Sequence, residues 1–243
     1  SSGTGPRVPI HLEDGFVDRL REDPAGERLV ELFAEKRKLV LDVTKPFLVG
    51  MPKAFQGGAV GFVYTDPSSQ KPCRIKVRAL QEKNFRVVPK GDSALGERAL
   101  APLFLAHLLD ASLPAALVTE GEVDALSLRG LGLPNVVSLP DGSSSVKTTD
   151  LRPLYTYATW ILSFDDDKAG REAAGYMAER GRRYGADCVW VRWPKEVSPE
   201  GELVYYKDGN DAVVAGLDLA AAVKLIDSAL ERRYGVVTAW RGR

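Results

Sequence analysis

Three consecutive aspartates, Asp165-Asp166-Asp167, stand between the apolar run Ile161-Leu162-Ser163-Phe164 and an amphipathic stretch opened by Lys168-Ala169-Gly170-Arg171-Glu172. The pattern predicts a buried strand, a tight turn and a helix. Adjacent carboxylates repel one another. Leaving three of them at the mouth of a buried strand is costly unless a cation or a helix N-terminus compensates. A divalent ion held by oxygen ligands is one such compensator.

The surroundings of this turn are β-α-β in pattern. Ala115–Thr119 reads as an apolar strand ending at Glu120-Gly121, and Glu122–Leu131 as a short helix closed by Gly132. Strands are predicted over Asn135–Leu139, Tyr157–Phe164 and Asp187–Trp193, with a Gly/Ser-rich loop at 140–145 and a helix over Arg171–Tyr184. Pro194–Gly201 reads as a surface loop, Lys207–Asp211 as a polar turn, and Asp218–Tyr234 as a closing helix before the tail Val236–Arg243. Strands alternating with helices imply a parallel sheet with helices on its faces. In such sheets the functional crevice lies beyond the carboxyl ends of the strands. Glu120 ends the first of these strands, Asp165 and Asp167 end the third, and Lys207-Asp208 follows the fourth. Alternation lets Asp165 and Asp167 point the same way while Asp166 points elsewhere. Two or three carboxylates with water positions left over describe a magnesium site of the kind used on phosphates. Taken singly, each piece has an ordinary reading: an Asp before a helix is often only a cap, and Lys-Asp-Gly-Asn-Asp is a common turn.

The first half has a different character. Residues 12–40 read as helical, with Asp23-Pro24 as a start signal. Residues 47–50, 59–64, 73–79 and 85–88 look like strands, and 93–112 like a connecting helical stretch. In Cys73–Ala79 the side chains alternate strictly. Arg74, Lys76 and Arg78 fall on one face, Ile75, Val77 and Ala79 on the other. Two readings stay open, a solvated edge strand whose charge discourages aggregation and a surface that meets an anion.

Formal net charge is zero, which argues against binding nucleic acid by bulk charge. The charge is unevenly placed, however. Lys71, Arg74, Lys76, Arg78, Lys83, Arg86 and Lys90 face Glu82 alone within their segment, and acids outnumber bases eight to four from Leu113 to Gly170. A basic segment before an acidic one suits a site that handles metal and polyphosphate together. Cys73 and Cys188 lie far apart, and His11 and His107 sit near no ligand cluster. No structural zinc is expected, and a reducing compartment is. No apolar run reaches membrane-spanning length and no secretory leader is visible, so a cytoplasmic location is expected. The opening Ser1–Pro6 is expected to be disordered.

Three ordered motifs, Glu120-Gly121-Glu122-Val123-Asp124-Ala125, Asp165-Asp166-Asp167-Lys168-Ala169-Gly170 and Lys207-Asp208-Gly209-Asn210-Asp211, resemble those of the Toprim domain. That domain is shared by bacterial DnaG-type primases, topoisomerases, some nucleases and recombination proteins. This version is most similar to the primase part of phage primase-helicases and Twinkle-like proteins, and the resemblance covers about residues 113–213. Gly61–Tyr64, Arg74–Arg78 and Lys83-Asn84-Phe85 resemble the basic subdomain that precedes Toprim in those primases. The implied fold is α/β: a Rossmann-like parallel Toprim sheet flanked by helices (113–213), preceded by a smaller mixed α+β basic subdomain (1–112) and followed by a helix and tail (214–243). The implied activity is metal-dependent, template-directed synthesis of short RNA primers on single-stranded DNA during replication.

Carried over by position, the resemblance makes Glu120 a metal ligand or general acid/base. Asp165 and Asp167 become ligands of Mg2+ or Mn2+, and Asp124 and Asp208 further acidic groups around a second metal position. Lys76, Arg78 and Lys83 become phosphate contacts, with Lys207 another. Family primases carry an N-terminal zinc module, which this sequence lacks, and no Walker motif marks a helicase motor. The expected partners are a single-stranded DNA template, nucleoside triphosphates, and a replicative helicase or a separate zinc-binding or helicase module. Two alternatives remain, a Toprim-type metal-dependent nuclease and a non-catalytic nucleic-acid-binding module of a replication protein.

Overall fold

The computed structural model describes residues 12–88 and 100–234. The expectations for Ser1–Pro6, His11, Lys90, the 93–99 stretch and the tail from Val236 lie outside the described residues.

The chain opens with helices α1 (Phe16–Arg21), α2 (Pro24–Arg37) and α3 (Leu41–Thr44). Asp23 caps α2 as its sequence predicts: the carboxylate accepts the Ala25 N–H at 3.0 Å, and Pro24 takes the first helical position, where no N–H is needed. Strands β1 (Leu48–Met51), β2 (Ala59–Thr65), β3 (Pro72–Ala79) and β4 (Phe85–Val88) form an antiparallel sheet in that order. Helix α2 lies against β1 backbone to backbone. A Cβ on Gly50 would fall 1.9 Å from the Gly26 carbonyl oxygen, so neither glycine tolerates a side chain.

The sheet's two faces are occupied differently. Val49, Ala59, Val63, Ile75 and Val77 pack with Val17 of α1. On the other face Val60, Phe62 and Tyr64 join the large core that continues through Phe104 and Leu117. Cross-strand partners share a face. Val60↔Arg78, Phe62↔Lys76 and Tyr64↔Arg74 therefore put all three cations of β3 on this inward face.

After β5 (Ala101–Pro102) come β6 (Ala115–Thr119), α4 (Glu122–Gly130), β7 (Val136–Ser138) and β8 (Thr149–Asp150). Then follow β9 (Thr159–Ser163), α5 (Lys168–Arg183), β10 (Asp187–Trp190), β11 (Pro194–Val197), β12 (Leu203–Tyr205), α6 (Gly209–Val214) and α7 (Leu219–Tyr234). Strands β10-β9-β6-β7 form a wholly parallel sheet. Both faces are covered, as the strand alternation requires: Ala115, Leu117, Val136, Ile161 and Val189 face the core shared with α4 and α7, while Ala116, Val118, Val137, Trp160 and Leu162 face α5. The chain runs from β6 outward to β7, then returns to β9 and leaves toward β10. The direction reverses between β6 and β9, which makes that gap the crevice of an open α/β sheet.

Three expectations need correction. The helix expected over 93–112 is not formed in its described part. Residues 100–112 hold β5, a left-handed Leu105 (φ 64°) and a 3-10 turn at Ala106–Leu108. Phe104 instead exchanges both backbone hydrogen bonds with Ser138, so this segment is paired to the sheet rather than to itself. The surface loop expected over Pro194–Gly201 is half a hairpin, with β11 pairing antiparallel to β12; its Pro-Glu-Gly composition makes only the turn. The polar turn at Lys207–Asp211 starts helix α6, with Asp208 as its cap. Among the described residues no helix is long and apolar enough to cross a membrane.

Candidate active site

Register brings the acidic motifs together. Thr119 at the end of β6 lies beside Ser163 at the end of β9. One step beyond, Glu120 meets the turn after β9, and its Oε2 accepts the Asp165 N–H at 3.4 Å. Its other oxygen accepts the Ser143 hydroxyl at 3.1 Å. Ser143 belongs to the Gly/Ser loop after β7, so three strand ends converge on one carboxylate. Gly170 lets the aspartate turn close: a Cβ there would stand 2.1 Å from the Asp165 carbonyl oxygen.

Asp165 is partly buried beside these groups. Burial and the Glu120 charge push its carboxyl up to about 6, against the pull of the Lys207 ammonium 3.3 Å away. Asp124, in the first turn of α4, is buried and held well above the usual carboxylate range, first by burial and then by Asp208. Its Oδ1 accepts the Asn210 N–H at 3.0 Å. Asn210 is itself buried and bonds Ser127 and the Arg37 carbonyl, which docks the third motif onto α4 and α2. The charges of Glu120 and Asp208 thus raise the proton affinity of Asp165, and those of Asp208 and Asp165 raise that of Asp124, across the β6/β9 crevice.

The rest of the triplet has other work. Asp166 points away, paired with Arg171 at 3.1 Å and Arg192 at 2.9 Å, and these arginines hold its carboxyl below the usual range. Asp167 is exposed and caps α5, accepting the Gly170 N–H at 2.8 Å. The helix N-terminus therefore compensates part of the triplet's charge, as elementary electrostatics requires.

The β3 cations face this acidic edge. Lys76 is buried, its ammonium 2.9 Å from Glu122 and 2.7 Å from the Pro140 carbonyl oxygen. The buried Tyr64 hydroxyl donates to Glu122 as well. Arg74 pairs with Asp141 at 2.9 Å. These contacts join the antiparallel sheet to the parallel one. Arg78 differs. It is half-buried, and burial and the neighbouring Arg37 charge lower its pKa while Glu122 and Asp124 attract it. Arg78, Arg37, Lys36 and the exposed Lys83 line an open cavity of about 300 Å³ floored by Phe33 and Leu80, with Glu82 the one carboxylate in its lining. None of the four forms an ion pair with another described residue.

The structure thus groups Glu120, Asp165, Asp124, Asp208 and Lys207, and places Arg78 and Lys83 at the adjoining cavity. Lys76 is enclosed in its pairing with Glu122, and Asp167 at the start of α5. Sequence reasoning passed over Tyr64, Glu122, Ser143, Asn210 and Arg37. Glu122 stood within a quoted motif, but only the register of β2 on β3 shows that Tyr64 and Lys76 both reach it.

The donors in the crevice are all carboxylate oxygens, two of them with raised proton affinity, which suits a hard divalent cation. Among the described residues no three His, Cys, Asp or Glu side chains form a ready-made cage. Magnesium does not require one: it keeps several waters and takes one or two carboxylates together with substrate phosphates. The residues present therefore fit such an ion.

Residues 117–203 match the Toprim-like family. The chain is 28% identical over 118 residues to the Twinkle homolog protein, chloroplastic/mitochondrial, of Arabidopsis thaliana, a match covering 41% of this chain and 16% of that protein. It is 27% identical over 117 residues to the primase homolog protein of the same plant, covering 41% and 33%. The match thus spans a third or less of either plant protein's length. Among solved structures, the primase fragment of the bacteriophage T7 primase-helicase is similar with a TM-score of 0.59 at 22% identity, over 93% of this chain and 82% of that one. The DnaG catalytic core is similar with a TM-score of 0.60 at 19% identity, over 88% and 76%. The DnaG catalytic domain bound to single-stranded DNA gives 0.60 at 17%, over 90% and 80%. These likenesses establish a shared fold.

Proposed function

We propose that this chain, which carries a Toprim-like domain on the fold of primase catalytic cores, is the nucleotidyl-transferring core of a DNA primase. Its reaction is template-directed synthesis of short RNA primers on single-stranded DNA. The observation that carries this reading is the juxtaposition of a carboxylate-lined crevice with a cavity of cations that form no ion pair among the described residues. A nuclease needs the first, but a polymerase must also hold the triphosphate of an incoming nucleotide, and the second supplies that hold.

In this scheme the 3′-hydroxyl oxygen of one nucleotide attacks the α-phosphorus of a nucleoside triphosphate, the α–β bridging bond breaks, and pyrophosphate leaves. Glu120 and Asp165 would hold a magnesium or manganese ion, with Asp124 and Asp208 beside it and Asp167 at the rim. When bound, the ion supplies Lewis-acid stabilisation of the phosphoryl charge and lowers the pKa of the attacking hydroxyl. Lys207 offsets the Asp165 charge and so tunes its proton affinity. Arg37, Arg78 and Lys83 take the phosphates. Lys76, Glu122 and Tyr64 fix the two sheets at the separation that the nucleotide bridges. Single-stranded DNA and a helicase or zinc-binding module are the partners this function calls for.

The deciding experiment incubates the protein with single-stranded DNA, magnesium and labelled nucleotides. Extended oligomers support the primase reading. Shortened DNA would establish the nuclease instead, and a mobility shift without either product a binding module.

A further inference from the structure

Strand β4 is the outermost strand of the antiparallel sheet among the described residues, and its first residue, Phe85, lies directly opposite Arg78. Cross-strand partners share a face, so Phe85 stands on the inward face, beside the cationic cavity. Its side chain is 38% exposed, although a phenyl ring gains from burial. The Lys76 ammonium lies 5.1 Å and the Arg78 guanidinium 5.7 Å from its centroid. Lys83, two residues earlier, reaches the same cavity. An accessible aromatic ring beside Arg78 and Lys83, which form no ion pair with another described residue, is the composition by which proteins hold nucleotides: phosphates on the charges, a base on the ring.

We propose that Phe85 is the platform on which the base of a bound nucleoside triphosphate stacks while Arg37, Arg78 and Lys83 hold its phosphates. This rests on the nucleotide site proposed above and adds its base-binding half. The ring and the Arg78 guanidinium lie within the length of one nucleotide, so a single ligand spans both. Stacking is tolerant of base identity because every base presents a π face. The platform therefore grips any nucleotide and leaves its choice to the template. The competing role for Phe85 is a passive apolar cover over the Lys76–Glu122 pair.

Calorimetry with two probes, ATP and inorganic tripolyphosphate, each with magnesium at fixed salt, separates these roles. Phe85→Ala is expected to weaken ATP about tenfold, the scale of one lost base-stacking contact, and to leave tripolyphosphate unchanged. Phe85→Trp retains ATP affinity, whereas Phe85→Leu, which keeps the apolar cover, behaves like the alanine variant. Equal loss of both probes, or wild-type ATP affinity in Phe85→Leu, overturns the platform and leaves the phosphate site standing. Loss of affinity for single-stranded DNA without loss for ATP also overturns it, because the base on the ring would then be the template's. Wild-type protein that binds neither probe removes the nucleotide site and this proposal with it. Arg78→Ala, which should weaken both probes alike, is the control that tells the two failures apart.

Discussion

Asp165 carries a carboxyl raised to about 6, and at this scale the sign of the effect sets three expectations. A raised acid favours the folded state below its unfolded value near 4, and that advantage disappears as pH climbs through 6. In EDTA, Asp165→Asn should therefore stabilise the fold above pH 6 by about 1 kcal/mol, discounted for the solvent that reaches the group. Below pH 4 it should leave stability unchanged, and urea melts at both pH values check this. The same variant should abolish primer synthesis. Synthesis by the wild type should fall as pH drops below 6, where a proton competes for Asp165, and raising magnesium should move that limb to lower pH; a limb indifferent to magnesium contradicts the assignment. Asp167 separates cap from ligand. Asp167→Ala should cost about 1 kcal/mol through the lost cap, while Asp167→Asn, itself a good cap, should keep that stability. Synthesis by Asp167→Asn then reports whether the second oxygen is needed for the ion.

Strands β2 and β3 meet helix α4 through a buried ion pair and a tyrosine, an arrangement costly to disturb from one side only. Lys76→Met leaves Glu122 charged and enclosed, and should destabilise the chain by about 3–5 kcal/mol. The double change Lys76→Met with Glu122→Leu removes both charges and should recover most of that loss, as denaturant midpoints would show. If the double variant is no more stable than the single, the pair contributes more than its own desolvation explains. Of the three cations that alternate along β3, two are neutralised internally, by Asp141 and Glu122. Arg78 remains. The sequence could place all three on one face but could not tell which of them met carboxylates, because Asp141 and Glu122 lie in other elements 67 and 46 residues away.

The whole molecule has no net charge, so long-range attraction cannot hold a template. Affinity for single-stranded DNA should be weak and fall steeply with salt, through the few cations of the cleft. Replacing Arg78 and Lys83 together by Ala should flatten the dependence of log affinity on log salt by about 1.4, from roughly 0.7 per contact. An unchanged slope in a salt titration would place the template on another surface. One core runs from α2 and the antiparallel sheet through α4 to α7, so the two sheets pack against a common interior.

Local physics made much of this readable in advance. Alternation of strands and helices along 113–193 announced a parallel sheet with both faces covered, and β6, β7 and β9 bury residues of both parities. The strict polarity of β3, the Asp23-Pro24 start of α2 and the three acidic motifs follow from neighbours within a few residues. Contacts between distant segments were not readable. The hairpin of β11 and β12 and the unwound stretch at 100–112 depend on backbone pairing with partners that composition does not name. The same holds within the site: the sequence listed the carboxylates and offered a helix cap for one of them, while the register of β6 on β9 decided that Glu120 meets Asp165. Side-chain chemistry is written residue by residue, but the charge that each group feels is a sum over space, and only the folded chain fixes those distances.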